Sequence, residues 1–329
     1  MVYKFLVTAP TLGAAGRQVL AEAGCEVDYL HDANNPAEVE QLMATHAYDA
    51  VISRTVTLSE KAISACPSLK VICKHGVGVT NIDVTAASAH RIPVLTTPAT
   101  NAQSVAELTI GLMLSAARQL PFFQEEISAG RWTRSSIGFE LQGKNLGLIG
   151  YGEIGQRVAR IALAIGMSVV FFDPAAMADR EPDGARQCAS VTELLQQSNV
   201  LSLHCPVNNA TRQLLNADTL QLLPEGTIVI NTSRGELIDE PALIQALQQG
   251  HIVAAGLDTF AQEPLPLDHP FRKLSNVVMT PHIGGTTPEA LDAVARSAAR
   301  QCLDFLQQQR INLRACVNPN ALENKESNS

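Results

Sequence analysis

The chain has 329 residues, 46% of them hydrophobic and 17% charged, with a formal net charge of −8; that length allows two domains of roughly 100–200 residues, each with its own core. Apolar runs end well short of the roughly 18 residues a membrane span needs, and no cluster of Lys and Arg is dense enough to follow a phosphate backbone, so a small molecule is the expected partner rather than a membrane or a nucleic acid. Seven cysteines, an odd number with no C-x-x-C pair, argue against a zinc site or disulfide framework and for reduced thiols in the cytoplasm, with no metal expected.

The first ten residues, "MVYKFLVTAP", read as a short strand ending at Pro10, without the cationic start and cleavage site of a secretion signal. Residues 3–8, 25–30, 49–53, 69–74 and 92–95 form short β-rich runs, and the stretches between them carry Ala and Leu at helical spacing. Such alternation predicts a parallel sheet with helices on its faces. Within it, "VICKHGVGVT" runs from a strand into Lys74, His75, Gly76, Val77 and Gly78. These residues fall at the carboxyl end of the strand, where open α/β sheets place their ligands.

Residues 101–120 read as a long helix that leaves this domain, with Ser104 and Glu107 as a capping box. A second series follows, with strands near 146–150, 168–173, 199–203, 227–231, 253–257 and 276–280, enough for a six-stranded doubly wound sheet. After His282, Thr286 or Thr287 is the expected N-cap and Pro288 lies in the first turn of a helix of about twenty residues. The predicted fold is α/β, with two doubly wound parallel sheets. One domain comprises residues 1–100 plus 287–329, and the other, inserted, comprises residues 101–286. The closing "NPNALENKESNS" is polar and expected to fray.

"KNLGLIGYGEIGQRVARIALAIGMSVVFFDP" carries the most specific chemical signal. Gly150, Gly152 and Gly155 make G-x-G-x-x-G after an apolar strand and at a helix start, and Asp173 ends the next strand. Gly150 permits the tight turn, Gly152 lets backbone amides approach a pyrophosphate, and Gly155 lets helix and strand pack closely. Asp173 would accept from the ribose hydroxyls and repel a 2′-phosphate, and no basic residue follows until Arg180, so NAD is expected over NADP.

Three further stretches end predicted strands of the same domain: "VINTSRGELID" with Arg234, "AGLDTFAQEPLP" with Glu263 and "VVMTPHIGG" with His282. A guanidinium at Arg234 suits a carboxylate or 2-oxo group. An imidazole at His282 suits proton transfer to or from a hydroxyl near neutral pH, and a neighbouring Glu263 would orient that ring. His204 ends another strand and is expected on the nicotinamide side, whereas His31, His46, His90, His251 and His269 read as surface or packing residues.

Over roughly residues 45–310 these motifs, with "SRT", "GVGVTNID", "NAQSVAEL", "GRW", "LHCP", "EPL" and "PHIGG", resemble the D-isomer-specific 2-hydroxyacid dehydrogenase family, in the manner of phosphoglycerate dehydrogenase-like members without a regulatory extension. The resemblance implies a Rossmann-type NAD domain inserted into a flavodoxin-like substrate domain, with Arg234, Glu263 and His282 catalytic. His282 would exchange a proton with the substrate oxygen while hydride passes between the nicotinamide and C2. It implies a pyrophosphate cradle from Tyr151, Gly152, Glu153 and Ile154, and Ser104, Thr232 and Asp258 on the nicotinamide side. Cys205, Pro206, Thr211, Ser233 and Gly284 complete the implied cofactor set.

For the substrate, the resemblance implies that the amides of Val77 and Gly78 receive the carboxylate, with Arg54 near the same mouth. Two departures stand out. His75 replaces the Arg that phosphoglycerate-type members commonly carry, and Thr80 replaces the usual acidic residue before "NID". These departures speak against 3-phosphoglycerate, while His75 and Lys74 remain the candidate groups for a distal anion; the expected substrate class is 3-phosphoglycerate or a glyoxylate- or hydroxypyruvate-type acid. A homodimer is implied, with Trp132 as an interface anchor. The alternatives are a formate dehydrogenase, against which Glu263 speaks because that enzyme has Gln there, and an NAD-sensing corepressor-like protein on the same fold.

Overall fold

A computed structural model describes residues 2–175 and 184–322. Arg180 and the end of the polar tail lie outside the described residues. By backbone proximity the chain divides into two compact units, one from Met1–Asn101 and Thr286–Ser329, the other from Ala102–Gly285.

In the first unit, strands β1 (Lys4–Val7), β2 (Glu26–Tyr29), β3 (Ala50–Ser53), β4 (Val71–Lys74) and β5 (Val94–Leu95) alternate with helices α1 (Ala14–Glu22), α2 (Pro36–Thr45), α3 (Glu60–Ser64) and α4 (Val84–Ala89). They form an all-parallel sheet in the order β2-β1-β3-β4-β5, the flavodoxin-like arrangement. β3 and β4 are buried along their whole length, as the unbroken apolar runs of a sheet covered on both faces require. Alternate residues feed two cores: Leu6, Val51, Ile72 and Val94 on one face, Phe5, Val7, Ile52 and Cys73 on the other.

The second of those faces is covered by α1 and by α11 (Pro288–Gln308), which returns from the far end of the sequence. Thr287 caps α11 by accepting from Ala290 N–H, and Pro288 occupies its first turn. Its buried stripe of Ala290, Val294, Ala295, Ala298 and Ala299 is small enough for α1 to come close. A Cβ added at Gly16 would stand 2.8 Å from the Ala295 side chain. The tail is ordered further than its composition suggests. Asn318 is buried and accepts from Val94 N–H at 2.7 Å, and Pro319–Leu322 forms a 3-10 turn.

The second unit contains α5 (Ala102–Ala117), α6 (Leu120–Ser128), β6 (Asn145–Ile149), α7 (Glu153–Ala164), β7 (Ser168–Phe172), β8 (Ala185–Gln187), α8 (Val191–Gln197), β9 (Val200–Leu203), α9 (Ala217–Leu220), β10 (Thr227–Asn231), α10 (Glu240–Gln249), β11 (Ile252–Leu257) and β12 (Val277–Met279). The sheet is parallel, seven-stranded and ordered β12-β11-β10-β9-β6-β7-β8, so the order reverses between β6 and β9. Six strands were expected; the seventh, β8, is a three-residue edge strand with two exposed positions, too short and polar to signal itself. The capping box at Ser104 is also corrected. Ser104 lies inside α5, its hydroxyl donating to Gly284 O at 2.6 Å, while Glu107 accepts from Gln103. Among the described residues no helix is long and apolar enough to cross a membrane.

Candidate active site

The reversal between β6 and β9 is where a doubly wound sheet opens a ligand crevice, and the Gly-rich turn lies there. Gly150 has φ 95°, and a Cβ on it would stand 2.5 Å from the His204 carbonyl oxygen; a Cβ on Gly155 would stand 2.5 Å from Gly150 O. Only glycine fits at either position. No side chain caps α7, and the amides of Gly152, Glu153, Ile154 and Gly155 find no acceptor among the described residues. Four such donors at the positive end of a helix suit a diphosphate. The Asp173 carboxylate is held by Tyr151 N–H and Ala175 N–H, each at 2.8 Å, with lone pairs remaining for ribose hydroxyls. These residues fit NAD.

His204 follows β9, its Nε2 2.9 Å from Ser202 Oγ and its Nδ1 buried without a partner among the described residues. Burial lowers its pKa to about 4, so the ring is neutral. Its neighbours serve the local backbone: Cys205 O accepts from Ser233 Oγ at 2.7 Å, and Pro206 O from Thr211 Oγ1 at 2.7 Å.

Arg234, Glu263 and His282 follow β10, β11 and β12, three adjacent parallel strands, and so share one edge of the sheet. His282 Nδ1 lies 2.8 Å from Glu263 Oε2, and both side chains remain more than one-third exposed. Glu263 Oε1 accepts from Phe260 N–H at 3.0 Å, which directs the carboxylate at the imidazole. A ring whose Nδ1–H is held by a carboxylate presents Nε2 for proton exchange. Arg234 is exposed, with Nη1 donating to Ser233 O at 2.6 Å. Next to it, Gly235 lies so tightly under the loop after β11 that a Cβ would stand 1.9 Å from the Phe260 carbonyl carbon.

Asp258 organises the histidine turn. One of its oxygens accepts from Thr280 Oγ1 and from Ile283 N–H at 2.9 Å, the other from Gly284 N–H at 2.8 Å. Together with Asp258 O, which accepts from His282 N–H at 2.8 Å, these bonds hold His282 at φ 55°, a left-handed conformation that is uncommon outside glycine. Ser104 supports the same turn through Gly284 O. Thr232 is buried and meets Thr109 at 2.8 Å between hydroxyl oxygens. Proximity in sequence to Pro281 and the following glycines points to His282, but nothing local shows that Asp258, 24 residues earlier, holds its turn.

In the first unit, the loop after β4 is anchored at both ends. His75 N–H donates to Ser53 O at 2.8 Å, and Gly76, at φ 134°, exchanges hydrogen bonds with Thr97. Asn81 Nδ2 donates to Ser53 Oγ at 3.0 Å and to Val56 O at 2.8 Å. Between these anchors the amides of Val77 and Gly78 meet no acceptor among the described residues, as an anion-receiving loop requires. Lys74 is buried, and its ammonium donates to Arg54 O and Asn81 Oδ1. His75 carries no charge near neutral pH. Burial first, then the Arg54 guanidinium, lowers its pKa to about 4. Arg54, half-buried, has its amide fixed by Thr8 Oγ1 at 2.9 Å.

Residues 110–284 match the family model described as D-isomer specific 2-hydroxyacid dehydrogenase, NAD binding domain. The chain is 42% identical over 247 residues to a hydroxypyruvate reductase of Thermotoga maritima, covering 74% of this chain and 79% of that one. It is 40% identical over 307 residues to a D-3-phosphoglycerate dehydrogenase of Methanocaldococcus jannaschii, covering 92% of this chain but only 57% of that longer relative. A glyoxylate reductase from Paecilomyes thermophila superposes with a TM-score of 0.85 at 29% identity, over 97% of this chain and 99% of that one.

Proposed function

The chain belongs to the D-isomer specific 2-hydroxyacid dehydrogenase family of NAD-dependent oxidoreductases, and on that premise we propose that it interconverts a D-2-hydroxy acid and its 2-oxo acid through His282, Glu263 and Arg234. The observation that carries this reading is the 2.8 Å contact between His282 Nδ1 and Glu263 Oε2. Held by the amides after Gly150 and by Asp173, NADH would supply the hydride that C2 of the 2-oxo acid receives. Imidazolium at His282 gives its Nε2 proton to the 2-oxo oxygen, and the product hydroxyl holds that proton; in the opposite direction neutral His282 removes it. Glu263 fixes the tautomer and orientation of the ring. Arg234 binds the oxygen-rich end of the substrate through its guanidinium fork, and the amides of Val77 and Gly78 receive a carboxylate.

Roles follow for the two units: residues 1–100 with 287–329 bind substrate, and residues 101–286 bind NAD. The relatives act on hydroxypyruvate, 3-phosphoglycerate and glyoxylate by their names, and a substrate of that size, glyoxylate or hydroxypyruvate type or 3-phosphoglycerate, is the proposed class. None of these similarities supports a corepressor-like role. We place the enzyme in the cytoplasm as a homodimer. Helix α6 buries none of its residues, and Leu120, Ile127 and Trp132 are exposed along and after it, a surface suited to a second copy. In His282→Ala, turnover of a 2-oxo acid should fall by about two orders of magnitude or more, with NADH affinity retained. Equal turnover in variant and parent would remove His282 from the mechanism.

A further inference from the structure

After β11 the chain folds back through residues 259–271, and two consecutive amides of that loop are each taken by a carboxylate. Phe260 N–H donates to Glu263 Oε1, and Ala261 N–H donates to Glu240 Oε1 at 2.9 Å. Glu240 is not needed to cap α10, because Asp239 does so by accepting from Ala242 N–H. Its second oxygen lies 3.3 Å from His269 Nε2, and the two side chains are 13% and 16% exposed. His269 Nδ1 accepts from Phe271 N–H, which leaves the ring proton on Nε2, facing Glu240. The ring also packs 4.9 Å from that of the buried Phe271. A second imidazole–carboxylate pair thus stands behind the loop, while Gly235 lies against the same 260–261 peptide from the side of Arg234.

We propose that Glu240 and His269 are a positioning pair that fixes the loop carrying Glu263, and through it the orientation of His282. The inference rests on the reading of Glu263 as the partner of His282. The geometry makes the coupling short: Glu240 holds Ala261, the adjacent residue Phe260 holds Glu263, and Glu263 holds His282. Without Glu240 the 260–261 peptide loses one of its two carboxylate anchors, and Glu263 is free to rotate away from the imidazole. Displacement of a catalytic group by about 1 Å costs on the order of a hundredfold in rate.

The test measures kcat with hydroxypyruvate and NADH, and the Kd for NADH, in the parent, Glu240→Ala, Glu263→Ala and the double variant. Glu240→Ala should lower kcat about tenfold or more with NADH affinity within about twofold of the parent. In the Glu263→Ala background it should cost less than about threefold, because residues that act as one unit are not additive. A kcat for Glu240→Ala within twofold of the parent, or losses that multiply in the double variant, would overturn the proposal. His269→Asn keeps an acceptor for Phe271 N–H but no longer reaches Glu240, so it replaces Glu240→Ala if that variant does not fold; an unchanged kcat there has the same meaning. An unchanged kcat in Glu263→Ala alone would instead remove the reading of Glu263, and the positioning role with it.

Discussion

His75 and His204 share a property that weakens the fold in acid: each has its pKa lowered to about 4 by burial, with Arg54 adding to the effect at His75. An unfolded histidine takes a proton below about pH 6.5, whereas these remain neutral in the folded chain down to their lowered values. The unfolded state therefore binds more protons between those limits, and stability falls as pH drops from about 6.5 toward 4, with no contribution from these groups above that window. His75→Gln should flatten the decline of Tm with pH in this range relative to the parent; identical slopes would show that His75 titrates normally. The difference between His75 and His282 was not legible in the sequence. Both precede glycine-containing turns at strand ends, but exposure decides which can exchange protons, and exposure follows from packing. The burial of Lys74 follows from packing too, since a lysine at a strand end reads as solvent-facing, whereas Arg54 O and Asn81 receive its ammonium.

Among the elements, β10 and the loop after β11 are joined most tightly at Gly235. An added Cβ would meet backbone atoms, 1.9 Å from Phe260 C and 2.2 Å from Ala261 N, so no side-chain rotation could relieve it. Gly235→Ala should destabilise the chain by about 2 kcal/mol or more and lower kcat, because the displaced segments carry Arg234 and Glu263; a variant with the Tm and kcat of the parent would contradict this packing. Sequence pattern located most elements because parallel strands buried on both faces appear as continuous apolar runs, and because the Gly150, Gly152 and Gly155 spacing sits between two such runs. It failed where length or context removed the signal. β8 has three residues, and Ser104 has the residue type of a cap but lies inside a buried helix and bonds to Gly284, 180 positions away. The Glu240–His269 pair was invisible for a related reason, since 29 residues separate partners that only the order of β10 and β11 brings together.

At the scale of the whole molecule, the chain leaves one compact unit near residue 101 and returns to it near residue 286, a division legible from two helix signals, the apolar pattern after Asn101 and the Thr287–Pro288 start of α11. Assembly is a property of the whole as well. Trp132 is 81% exposed next to a helix that buries no residue, so for the proposed homodimer light scattering should give twice 35.2 kDa for the parent and a shift toward monomer in Trp132→Asp; the same mass in both would place any interface elsewhere. Whether the protein reduces a 2-oxo acid with NADH, with His282, Glu263 and Arg234 at the reacting carbon, is tested most directly by following NADH oxidation with glyoxylate, hydroxypyruvate, phosphohydroxypyruvate and pyruvate, and determining the configuration of each chiral product. One NADH should be consumed per 2-oxo acid reduced, with a D-2-hydroxy acid formed wherever the product is chiral. No NADH oxidation with any of these acids, or an L-configured product, would contradict it.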